Sequence, residues 1–166
     1  MKPISLYQVD AFADKLFSGN PAAVCPLDEW LPDNILQQIA AENNLAETAY
    51  FINQEDKYAI RWFTTVKEVD LCGHATLAGA FILFNHFLYP GNEVQFISRS
   101  GLLSVTKKDD IFTLNFPADN ITQVINYPDE LANALHIKPL SVFEGKTDYL
   151  VLLPDEKTVK ELKPDM

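Results

Sequence analysis

Residues 70–77, Asp-Leu-Cys-Gly-His-Ala-Thr-Leu, set a Gly-His turn at the start of a long apolar run. The first turn of a helix exposes unpaired backbone N–H groups and the positive end of the helix dipole, so it favours an anion. His74 in that turn can donate or accept a hydrogen bond, and Gly73 allows a ligand to approach the backbone closely. Upstream, Asn43-Asn44-Leu45-Ala46-Glu47-Thr48 holds a carboxylate where a helical pattern gives way to a strand-like one. A carboxylate near a buried helix start outlines a proton-transfer site. Glu47 in that position could take up and release a proton.

The elements that must position these residues follow from periodicity. Over residues 74–88, Leu77, Phe81, Ile82, Phe84 and Leu88 fall all round the helical circumference, which predicts a helix enclosed on every side. Residues 33–43 place Ile35, Leu36, Ile39 and Ala40 on one side and polar residues on the other, with Pro32 at the start and Asn43-Asn44 at the end. That pattern predicts a one-sided amphipathic helix. Alternation at period two predicts strands over 58–63 and 111–116, and similar readings fit 4–12, 22–27, 48–53, 94–99 and 102–107. The short spacing between these strands points to mainly antiparallel pairing, because parallel neighbours need long crossovers. The fold class read from these elements is α+β, with a barrel-like sheet wound about a central buried helix.

The style changes after Phe116-Pro117. Residues 1–118 read as one domain, 119–128 as a connector, and 129–166 as the start of a second, truncated domain. In that tail a helix is expected at 129–136, a strand at 149–153 whose apolar run Val151–Leu153 suits burial on both faces, and a last helix around 155–162.

Composition narrows the function classes. With 13 basic and 23 acidic residues the net charge is −10, and no basic stripe offsets it, so nucleic acid is excluded as a partner. The longest apolar stretch, Ala75 to Leu88, is too short to span a bilayer and contains Asn85 and His86, so no membrane partner is expected. Residues 1–12 carry no signal-peptide pattern, and two cysteines, Cys25 and Cys72, make no disulfide framework. A reducing, cytoplasmic setting follows as the expectation. Asp70, Cys72 and His74 alternate along one extended segment without metal-ligand spacing, so no metal is expected.

Four ordered stretches stand together: Val9-Asp10-Ala11-Phe12 with Gly19-Asn20-Pro21-Ala22-Ala23-Val24; Asn44-Leu45-Ala46-Glu47-Thr48-Ala49-Tyr50-Phe51; Ile60-Arg61-Trp62-Phe63-Thr64; and Glu68-Val69-Asp70-Leu71-Cys72-Gly73-His74-Ala75-Thr76-Leu77-Ala78. Together they resemble the N-terminal half of the PhzF-like family, named for a phenazine-biosynthesis isomerase, which shares the diaminopimelate epimerase-like fold. The resemblance implies two similar domains, each a barrel-like sheet about a central helix, with the active site in the cleft between them. It implies that Glu47 is the catalytic acid/base, that Gly73 and His74 form the turn that contacts substrate, and that Asn20 lies in a Gly-Asn-Pro loop beside the cleft.

The function so implied is a cofactor-independent isomerase or epimerase, moving a proton between carbons of a small carboxylated metabolite. Family members are longer, and their second half carries a Gly-Ser-Ala-type helix mouth with a nearby Asp that is not found in this sequence. A homodimer or a complementing chain is therefore the expected partner, beside the metabolite. The alternative is a truncated, non-catalytic half that binds a small carboxylate. Cys72 lies near the position of the first of two catalytic cysteines in related epimerases, but with no facing thiol it reads as a buried structural cysteine. Arg61 alternates with Trp62 as a barrel-surface residue would, and is left outside the site.

Overall fold

A computed structural model describes residues 3–15 and 17–165. Met1, Lys2, Leu16 and Met166, which fall within the domain spans given above, lie outside the described residues. The chain divides into two compact units, Met1–Pro117 and Ala118–Met166.

The first unit runs β1 (Tyr7–Ala11), β2 (Asn20–Leu27), α1 (Asp33–Asn43), β3 (Glu47–Gln54), β4 (Lys57–Phe63), β5 (Glu68–Val69), α2 (Gly73–Asn85), β6 (Glu93–Ser98), β7 (Gly101–Lys108) and β8 (Ile111–Asn115). The strands form one 8-stranded sheet in the order β1-β2-β3-β4-β6-β7-β8, with β5 hydrogen-bonded to β4. Pairing is mainly antiparallel. The two parallel pairs, β2 with β3 and β4 with β6, occur where a helix supplies the crossover: α1 in the first case and α2 in the second.

The sheet wraps α2, which packs against β1, β2, β3 and β8. Small residues at Ala75, Ala78, Gly79 and Ala80 let the strands approach the helix closely, and Ile82, Leu83 and Phe84 fill the space beyond them. Ala22, Val24, Ala49, Phe51, Ile60, Trp62, Phe96, Leu103 and Val105 complete this core from the strands. On the opposite face of the sheet, Leu36 and Ala40 of α1 pack with Cys25, Tyr50 and Phe63. Strands β2 and β3 are thus covered on both faces, which explains their continuous apolar runs Ala22-Ala23-Val24-Cys25 and Ala49-Tyr50-Phe51. The Tyr50 hydroxyl is buried with its ring and donates to the Leu36 carbonyl at 2.8 Å, so the phenol is satisfied inside the core.

Three readings from the sequence need correction. Leu88 is not part of the central helix. The helix ends at Asn85, and Leu88 is exposed in a left-handed turn (φ +51°) ahead of Tyr89-Pro90. Residues 119–128 are not purely a connector, because β9 (Thr122–Val124) lies within them and pairs with β10 (Ser141–Glu144). Finally, the Val151–Leu153 run is not buried on both faces: Leu152 is exposed, and the strand it belongs to is β11 (Tyr149–Leu152). It is an edge strand of the three-stranded sheet β11-β10-β9, and Tyr149, Leu150 and Leu152 are all exposed. The second unit also holds α3 (Asp129–Leu135) and α4 (Glu156–Glu161), the latter capped by Asp155, whose carboxylate accepts from the Thr158 N–H at 2.7 Å. Among the described residues, no helix is long and apolar enough to cross a membrane.

Gly79 gives a direct test of the packing about α2. A Cβ built there would meet Ile60, Phe51 and Phe96 at 3.8 Å, ordinary contact distance. Replacing a helix-interior glycine with alanine stabilises a helix by about 0.5–1 kcal/mol where the space exists. Gly79→Ala is therefore expected to raise the urea midpoint, whereas Leu83→Ala, which empties a buried site, should cost about 2–5 kcal/mol.

Candidate active site

Glu47 is the first residue of β3, and its place follows from how α1 ends. Asn44 adopts the left-handed conformation (φ +50°) and its N–H donates to the Ala40 carbonyl at 3.3 Å, which closes the helix and turns the chain. Asn43 Nδ2 then donates to Thr48 Oγ1 at 3.1 Å, tying the helix end to the strand start. In the parallel register Glu47 sits opposite Ala22 of β2. Strand alternation puts Glu47 on the same face as Ala49 and Phe51, the face that packs on α2. The carboxylate is therefore aimed at the helix rather than outward, and it is largely buried, with its side chain 21% exposed.

His74 is the second residue of α2. Cys72 before it is extended (φ −147°, ψ 115°) and serves as the N-cap position. Thr76 Oγ1 donates back to the Cys72 carbonyl at 2.5 Å, and the Thr76 N–H donates to the same oxygen at 3.3 Å. Gly73 lies under the Phe116 ring, where an added Cβ would come within 3.3 Å of Cε2, so a larger residue would press the first turn off that ring. These contacts set the helix start, and the imidazole is buried with it.

Glu47 and His74 meet. Nε2 of His74 lies 3.2 Å from Oε2 of Glu47, and Nδ1 of the same ring lies 3.5 Å from Sγ of Cys72. The Glu47 and His74 atoms are close but not aligned as a hydrogen bond, and both are buried without another hydrogen-bonding partner among the described residues. Buried polar atoms left unpaired are costly, so such a pair is poised for a third polar group beside them. Burial pushes the Cys72 thiol up to about 12; the Ala75 N–H opposes this, and the Glu47 charge adds to the rise. The helix N-terminus does not make this cysteine a reactive thiolate.

Glu47, Cys72 and His74 are all of metal-ligating type, and one ligand atom from each falls within 4.8 Å of the others. Sequence spacing pointed only to Asp70 with Cys72 and His74, because Glu47 arrives from a different element. Nε2 of the imidazole is turned toward Glu47 and Nδ1 toward Cys72, so the ring lies between the other two groups.

The remaining candidates fall as follows. Asn20 opens β2, exposed, on the face shared with Ala22 and Val24 and therefore on the α2 side. Gly19 before it has φ +87°, and a Cβ there would strike the Ala11 carbonyl, so only glycine fits the turn into that strand. Asp70 is exposed beside Arg99 at 3.6 Å. Arg61 is held by both Glu68 oxygens, at 2.7 and 2.8 Å, and by Asp33 at 2.9 Å, with its guanidinium over the Trp30 and Phe63 rings. Its charge is committed to the fold. A hollow of about 520 Å³ runs beside the middle of α2, lined in part by Asp10, Phe12, Leu77, Phe81 and Phe112, and a second of about 700 Å³ is lined in part by Ile4, Leu27, Leu31, Tyr58 and Phe87. Neither is lined by Glu47 or His74.

The sequence profile described as "PhzC-PhzF: Phenazine biosynthesis-like protein" matches residues 9–166. The chain is 49% identical over 162 residues to the Pseudomonas aeruginosa protein named "Uncharacterized isomerase PA2770", covering 98% of this chain and 62% of that protein. It superposes on the crystal structure of a PhzF-family phenazine biosynthesis protein from Enterococcus faecalis with a TM-score of 0.88 and 46% identity, covering 98% of this chain and 62% of that one. A more distant likeness in fold alone, at 10% identity and a TM-score of 0.56, links it to a hydroxyproline epimerase from Agrobacterium vitis, covering 95% of this chain and 53% of that one. The chain thus spans less than two thirds of the length of these relatives.

The two buried thiols predict an alkaline pH dependence. Cys25 and Cys72 are both raised by burial from an ordinary 9.0 to about 12. As pH rises from about 9 toward 12, the unfolded chain gives up its thiol protons while the folded chain keeps them, so stability falls across that window. Urea midpoints measured along this range should decline, and the paired variant Cys25→Ser/Cys72→Ser should decline less steeply.

Proposed function

Because the chain belongs to the PhzC-PhzF family of phenazine biosynthesis-like proteins, we propose that it supplies the acid/base half of an isomerase site acting on a small carboxylated metabolite. Glu47 removes a proton from a substrate carbon; the C–H electron pair moves into an enolate-like system, and the protonated carboxyl returns the proton at another carbon. The first-turn N–H groups of α2, from Gly73 onward, and the His74 imidazole face the carboxylate or the oxygen on which charge collects. Asn20 contributes from the start of β2 as a substrate contact. The reading requires no metal and no organic cofactor, since the proton leaves from and returns to one carboxyl group.

The observation that carries this reading is the Glu47–His74 approach of 3.2 Å, with both facing atoms buried and otherwise unpaired. A solvated surface glutamate would satisfy both oxygens with water. A carboxylate held against apolar residues at a helix start is instead free to exchange a proton with a substrate that displaces water.

Coverage of 62% of the relatives favours a second reading for this stretch taken by itself. It would then bind a small carboxylate and need a complementing chain, either another copy or a second half, for turnover.

The test follows deuterium. The complete protein, incubated in D₂O with a panel of small carboxylated metabolites, should incorporate deuterium at one substrate carbon, read by NMR. Glu47→Gln preserves size but removes the base, and exchange should fall by about 10²–10⁴-fold. Undiminished exchange in that variant would remove Glu47 from the mechanism. Exchange only after a second half is supplied would establish the complementation reading.

A further inference from the structure

We propose that Cys72 is a positioning residue: its thiol donates to Nδ1 of His74 and so holds the ring as the neutral Nε2–H tautomer facing Glu47. The inference rests on the reading of Glu47 and His74 as the working pair, and it adds a role for a group to which that reading assigns none.

Nε2 lies 3.2 Å from Oε2 without the alignment of a hydrogen bond, yet an ionised carboxylate offers only lone pairs, so a ring nitrogen that close is better tolerated carrying its proton than a lone pair of its own. With the proton on Nε2, a neutral imidazole leaves its lone pair on Nδ1. A buried lone pair needs a donor, and the group 3.5 Å away is the Cys72 thiol, within reach for a hydrogen bond to sulfur. Both residues are buried, with Cys72 at 7% and His74 at 8% exposure, so water does not readily take the thiol's place. Burial also keeps the thiol protonated at neutral pH and therefore able to donate. Thr76, bonded to the Cys72 carbonyl, fixes the backbone from which the thiol projects.

The arrangement has a chemical purpose. A neutral imidazole offers a hydrogen bond without placing a positive charge beside the carboxylate. An imidazolium there would form an ion pair and blunt the carboxylate as a base. Cys72 thus acts through His74 and carries no proton of the reaction.

The experiment is a two-bond ¹H–¹⁵N correlation of the His74 ring in the ¹⁵N-labelled chain at neutral pH. The expected pattern has a pyrrole-type Nε2 and a pyridine-type Nδ1. A protonated Nδ1, as the other tautomer or as imidazolium, overturns the proposal from the wild-type spectrum alone, whether or not any variant folds. Cys72→Ala should lower the preference for the Nε2–H tautomer about fivefold, the effect of one ordinary hydrogen bond. Cys72→Ser, whose hydroxyl can still donate, should largely restore it; equal populations in all three proteins would also overturn the idea. In the complete enzyme Cys72→Ser should keep turnover. Lost turnover with the tautomer intact would make the thiol a proton carrier and sink the positioning role. The spectra need no substrate, so they decide this point separately from the Glu47→Gln exchange result.

Discussion

Enclosure of one apolar helix governs the first unit. A helix with no polar side cannot lie on a sheet; the sheet has to curl around it, and β1, β2, β3 and β8 do so about α2. Such a helix can meet polar chemistry only at an end, where its backbone hydrogen bonds run out. Its N-terminal end carries no capping side-chain bond and no acidic residue in its first turn, which leaves the positive pole of the dipole uncompensated by the helix itself. A carboxylate brought against that end comes from the start of β3. The apolar core and the polar pair are thus two results of the same constraint.

Much of this was readable from residue order. The run from Ala75 to Phe84 has no polar stripe, so a helix enclosed along most of its circumference follows without coordinates, Phe81 being left exposed on it, and the amphipathic pattern of 33–43 matches α1 from Asp33 to Asn43. The four ordered motifs identified the family that the profile match over residues 9–166 also reports. Local signals failed where tertiary context decides. Leu88 fits the helical wheel of α2, but the approach of Tyr89-Pro90 ends the helix first. Thr122–Val124 is too short to announce itself as a strand until β10 pairs with it. The apolar residues of β11 read as buried, yet an edge strand in a three-stranded sheet has little to bury them against.

The site divides in the same way. Gly73 and His74 are adjacent in sequence, and a helix start can be inferred from them. That Glu47 would reach Nε2 of His74 depends on β3 lying beside β2 in parallel, a pairing that no spacing between residues 47 and 74 encodes. The Cys72–His74 contact is hidden for a subtler reason. Two residues apart at a helix start, one in extended and one in helical conformation, can bring their side chains together only through the bend between them.

The register of β2 with β3 has a consequence for how such chains can vary. Side chains along a strand alternate between faces, so the choice of Ala22 as the neighbour of Glu47 also decides which side of the sheet the acid looks toward. A single-residue insertion in the short turn between α1 and β3 would swing the carboxylate to the outer layer and drive Tyr50 into the inner one. Lineages should therefore tolerate length changes freely in hairpins such as Asp109-Asp110, and almost never at Asn44-Leu45-Ala46.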